Sequence, residues 1–79
     1  MNQSSKAIVK NILINQLRYR EEELRMVKGL ATHYWSRVSK LDPSTQGYFE
    51  LFNFYRNDIR KLSRIIKSIK IALKEIKHA

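Results

Sequence analysis

The sequence predicts an all-α fold, an antiparallel hairpin of two long helices with coiled-coil-like packing. Three observations carry this. Alternating steps of four and three through residues 48–76 give Tyr48, Phe52, Tyr55, Ile59, Leu62, Ile66, Ile69, Leu73 and Ile76, every one apolar or aromatic. The same steps through residues 13–41 give Leu13, Leu17, Arg20, Leu24, Val27, Ala31, Tyr34, Val38 and Leu41, with Arg20 the exception. Between the two series lies a single convincing break, Leu41-Asp42-Pro43-Ser44-Thr45-Gln46-Gly47. A helix turns once in about 3.6 residues, so 4-3 spacing holds each series on one side as a stripe to be buried.

Taken in order, residues 1–5 are polar and expected to fray, with Ser4 or Ser5 a candidate N-cap. The first helix is expected over about residues 5–40. Gly29 falls opposite its stripe, where glycine costs about 1 kcal/mol relative to alanine without breaking a helix. The cluster Arg18-Tyr19-Arg20-Glu21-Glu22-Glu23 is its weak point. A split there would give a three-helix bundle instead, although one long helix is preferred. Pro43 disfavours helical geometry at Asp42 and ends the first helix by that point. Asp42 or Ser44 can cap the second helix, expected over about residues 44–77, and proline is well tolerated in a first turn.

A turn confined to residues 41–47 makes the two helices antiparallel neighbours within one domain spanning the 79 residues. Head-to-tail pairing sets Leu41 against Tyr48, Val38 against Phe52, Tyr34 against Tyr55 and Ala31 against Ile59. It continues with Val27 on Leu62, Leu24 on Ile66, Arg20 on Ile69, Leu17 on Leu73 and Leu13 on Ile76. Arg20 can lay its methylenes over Ile69 and turn its head to Glu23 or Glu75.

The flanks of this seam differ. One gathers Arg18, Arg25 and Lys28 with Arg56, Arg60, Lys67, Lys70, Lys74 and Lys77, and Arg64 sits at its crest. The other gathers Val9, Ile12, Tyr19, Met26 and Leu30, then Leu51, Phe54, Ile65 and Ala72. Monomers rarely leave so long an apolar strip wet, so a partner is expected there. Either a second copy completes a four-helix bundle or a different protein docks.

The formal net charge is +9, and residues 59–77 hold seven cations against one anion. A solvated helix face normally mixes signs, so a single-sign line points to a polyanion. Phosphates present a matching line of anions, and lysines on a ridge read backbone rather than bases. Trp35 and Phe49 are the aromatics left to stack on unpaired bases, although a cation–π contact with Arg56 would equally account for Trp35. The last helix has the cationic amphipathic character of a membrane-surface helix, but its apolar stripe already has a partner, so membrane binding is not expected. No apolar run is long enough to span a bilayer, and residues 7–17 are too interrupted for a signal peptide.

Cysteine is absent, which excludes a disulfide framework and agrees with a cytoplasmic or otherwise intracellular setting. No catalytic constellation emerges. His33 has no acidic residue at helical spacing, and Glu21, Glu22 and Glu23 fan around the helix, with Glu21 expected to pair with Lys70. The serines lack a base within helical reach, and Gly29 and Gly47 are isolated. The expectation is therefore a small, basic, non-enzymatic nucleic-acid-binding or accessory protein without metal or cofactor. It would contact DNA or RNA through the Lys/Arg ridge without base specificity. The competing expectation is a helical adaptor or structural subunit that docks on a larger assembly through its apolar flank.

Overall fold

A computed structural model of the chain describes residues 3–39 and 41–78. The fraying expected at residues 1 and 2 lies outside the described residues. Every regular element among the described residues is helical: α1 spans Gln3–Trp35, a 3-10 turn spans Pro43–Thr45, and α2 spans Gln46–His78. α1 and α2 pack along each other as a hairpin measuring 62 × 14 × 12 Å. Its radius of gyration is 18.0 Å, whereas a compact chain of this length would have about 12 Å. The molecule is a rod.

α1 runs unbroken through residues 18–23, so the three-helix alternative is not realised. It is already helical at Gln3, which places Ser4 and Ser5 inside the helix rather than at its cap. Gly29 is accommodated within α1 with negative φ. At Arg20 the polar exception to the stripe is handled as its neighbours allow. The side chain is half-buried, and its Nη1 donates to Glu23 Oε2 at 3.3 Å. The guanidinium lies 5.4 Å from the centre of the Tyr19 ring, while Nε is buried without a hydrogen-bond partner.

α1 stops at Trp35, short of the end near residue 40 that the apolar spacing predicts. The cause is local. Ser36 Oγ donates to the His33 carbonyl at 2.7 Å, and Arg37 N and Val38 N bond to carbonyls only three residues back, tightening the last turn. The helix is not continued beyond this point, and Ser39 N donates to Thr45 Oγ1 at 3.0 Å across the turn. Thr45 Oγ1 also donates to the Asp42 carbonyl at 2.8 Å. Asp42 is extended, at φ −126° and ψ 104°, as the following proline requires. Its carboxylate accepts from Ser44 N at 3.0 Å, and hydrogen bonding from the Ser44 side chain first and its backbone N–H second holds the Asp42 pKa below the ordinary aspartate value. The cap therefore closes the 3-10 turn that leads into α2.

Beyond residue 35 the heptad register no longer governs direction. Leu41, expected against Tyr48 in the seam, is 96% exposed. Phe52, expected opposite Val38, meets the Trp35 ring at 4.7 Å between ring centres. Tyr34 and Tyr55 stack as the pairing requires, 5.7 Å apart and 3° from parallel, and Tyr48 lies on the other side of Tyr34 at 6.2 Å. Mid-rod, Ala31, Leu62 and Ile66 are buried, and the remaining seam residues are half-buried except Leu41 and Tyr48, which are exposed. Aromatic stacking thus closes the turn end, and aliphatic packing around a small alanine closes the middle. Three buried side chains among the described residues make a thin core for a chain of this size.

Candidate nucleic-acid interface

The cationic residues of α2 are placed by the same heptad that buries its stripe. Arg60, Lys67 and Lys74 follow one another at seven-residue intervals, and Lys70 and Lys77 form an adjacent row with Arg56. All six are exposed, as is Arg64. At a rise of about 1.5 Å per residue the line over residues 56–77 runs about 32 Å. Arg56, Arg60, Lys61, Arg64, Lys67, Lys70, Lys74 and Lys77 have no ion-pair partner among the described residues. Glu21, expected to hold Lys70, does not. It lies instead beside Arg18, Glu22 and Arg25 on α1's own surface.

The contribution of α1 to this flank is mixed. Lys28 faces Arg56 across a shallow groove whose floor includes Ala31 and Ile59 and whose wall is Trp35 against Phe52. These two cations therefore lie on the same side of the hairpin. Arg18 is exposed on α1, in the hollow it shares with Glu21, Glu22 and Arg25. Arg25 is different: Glu22 grips its guanidinium as an i,i+3 ion pair, and that hydrogen bond, with the charge behind it, raises the arginine pKa. A charge already matched within its own helix adds little field to the ridge.

Sequence reasoning missed Lys10. It shares a hollow with Ile14, Leu73, Lys74 and Lys77 at the far end of the rod. Continuing the 4-3 series backward from Leu13 lands on Lys10, so the signal was present as a seam position filled by a cation. Lys10, Lys74 and Lys77 thus gather at one end, and Lys28 and Arg56 toward the other, with Arg60, Lys67 and Lys70 between them along α2.

No protein-family model, no curated protein and no solved structure matches this chain.

The aromatic residues divide. Trp35 is 52% exposed, yet one face packs on Phe52, and the cation–π contact foreseen with Arg56 is not formed among the described residues. Phe49 is 37% exposed and lies with Trp35 at the mouth of a cleft beside the turn. His33 Nε2 accepts from Arg37 Nε at 3.2 Å, so its ring is engaged along the helix.

The apolar flank is open. Ile12, Tyr19, Met26, Leu30, Leu51, Phe54 and Ile65 are all exposed, Tyr19 and Met26 by more than 60%, whereas Val9 and Ala72 are half-buried. The chain exposes 6410 Å² in all, against about 5000 Å² for a compact monomer of its mass. No helix of the described residues is long and apolar enough to cross a membrane.

Proposed function

We propose that this chain is a non-enzymatic nucleic-acid-binding protein that grips the phosphate backbone along α2, with Lys28 and Lys10 of α1 adding to the same side. The observation that carries the proposal is the line of exposed cations over residues 56–77, none neutralised within the chain among the described residues. An ordinary solvated helix face satisfies its charges in i,i+4 pairs of both signs. Here α2 offers its carboxylates elsewhere: Glu50 precedes the ridge, and Asp58 and Glu75 lie off the ridge rows in the heptad. A row of lysines supplies point charges with rotating donors, suited to phosphate rather than to base edges.

The uncovered flank supports self-association, two hairpins packing through Ile12, Tyr19, Met26, Leu30, Leu51, Phe54 and Ile65 as a four-helix bundle with the basic ridges outward. The surplus of exposed surface and the thin core both favour it. A helical adaptor role would use this flank too, but it leaves the single-sign ridge unexplained.

Replacing Lys67, Lys70 and Lys74 together by glutamate tests the proposal. All three are exposed and outside the seam, so far-UV circular dichroism should be unchanged while affinity for a DNA or RNA oligomer falls at least a hundredfold. Retained affinity with retained helicity would refute ridge binding.

A further inference from the structure

Trp35 is the wall between two hollows of different chemistry. On one side is the groove that holds Lys28 and Arg56. On the other, beside the turn, is a cleft of about 370 Å³ with Trp35, Phe49, Val38 and Pro43 as apolar lining and Thr45 and Gln46 at its polar edge. That volume falls within the range of small-molecule sites, about 300–1000 Å³. Trp35 and Phe49 each keep a substantial share of their surface in solvent. Gln46 is exposed, and its amide carries both donors and an acceptor, as a base edge requires.

From this juxtaposition we propose a nucleotide-unit site: an unpaired base stacks in the Trp35–Phe49 cleft while Lys28 and Arg56, across the Trp35 wall, hold the adjoining phosphate. The site deepens the phosphate-ridge reading and rests on it. Aromatic faces alone would suit an apolar peptide side chain, but two cations bordering the same tryptophan suit a ligand that is flat at one end and anionic at the next. Bases within a duplex are already stacked, and freeing one costs a few kcal/mol. A single strand or a frayed end presents its bases at no such cost, and stacking on aromatics is indifferent to base identity. The hairpin tip therefore adds a preference for unpaired strands that the ridge by itself lacks.

Trp35 is the only tryptophan, so its fluorescence reports on the cleft directly. The full chain is titrated with an oligothymidylate and with a blunt duplex of equal length at one salt concentration, with binding followed independently by anisotropy of labelled strands. The oligothymidylate should bind at least tenfold more tightly and quench Trp35, and the duplex should leave the emission nearly unchanged. Phe49→Leu should weaken single-strand binding about 5- to 150-fold, the range of one lost base stack, with duplex affinity and helicity preserved. Single-strand binding without quenching, or equal loss of both affinities in Phe49→Leu, would overturn the cleft while leaving the phosphate ridge standing. Failure of both nucleic acids to bind would overturn the ridge and the cleft together. Quenching by polyglutamate as strong as that by the oligothymidylate would overturn the base as occupant.

Discussion

Replacing Met26 and Leu30 together by glutamate places two charges on the uncovered flank and asks whether that flank is an interface. The side chains are 64% and 38% exposed in the single hairpin. For an isolated chain, then, the change is a surface substitution, worth within about 0.5 kcal/mol per site. A dimer makes a different prediction. The chain's 6410 Å² exceeds by about 1400 Å² what a compact monomer of its mass would expose. A standard interface removes about 800 Å² from each partner, so the surplus is large enough to supply one. Two carboxylates forced into such an interface would be desolvated without partners, a penalty of several kcal/mol per ion. By light scattering after size exclusion the wild type should therefore weigh twice the 9.4 kDa of one chain, and the double variant should elute as a single chain. Because dimer stability follows mass action, tenfold dilution of the wild type should lower its stability by about 1.4 kcal/mol. A wild type that weighs 9.4 kDa and melts at a midpoint independent of concentration would refute the reasoning.

Further predictions concern the rod itself. Gly29→Ala should stabilise by about 0.5–1 kcal/mol, because the position is helical and exposed and a Cβ there meets nothing within 4 Å; a fall in the thermal midpoint would contradict this. Leu62→Ala removes one of the three buried side chains and should cost about 2–5 kcal/mol in denaturant titration, while the exposed neighbour Ser63→Ala stays within about 0.5 kcal/mol. Arg20→Leu should raise the midpoint by several degrees, about 1 kcal/mol, by replacing a half-buried cation whose Nε lacks a partner with a side chain suited to the stripe.

The seam was legible because burial imposes its period on the sequence. Tyr34 on Tyr55, and the burial of Ala31, Leu62 and Ile66, follow from residue spacing and a short turn. The open flank was legible for the same reason, since a 4-3 stripe fixes where every other position must lie. What spacing could not reveal is where a helix yields to its own side chains. Val38 and Leu41 continue the apolar series, but the hydroxyls of Ser36 and Thr45 redirect the backbone with bonds that hydrophobic periodicity does not register. Trp35, which flanks the stripe, packs its ring on Phe52, a contact the seam spacing does not register. Ion pairing was misread by the same limitation. Glu22 holds Arg25 within one helix, a local partner available at no cost in chain closure, whereas Glu21 and Lys70 would have had to meet across the hairpin. Lys10 went unseen because a cation in a seam position does not look like part of a ridge until the far end of α2 is laid beside it.

The central claim is that the cations over residues 56–77 meet phosphates, and the salt dependence of affinity addresses it most directly. For duplex DNA each neutralised phosphate contributes about −0.9 to the slope of log affinity against log salt, so about six contacts predict a slope near −5. Affinity should then fall about a thousandfold between 50 and 200 mM salt. A slope near zero over that range, with binding intact, would contradict the account.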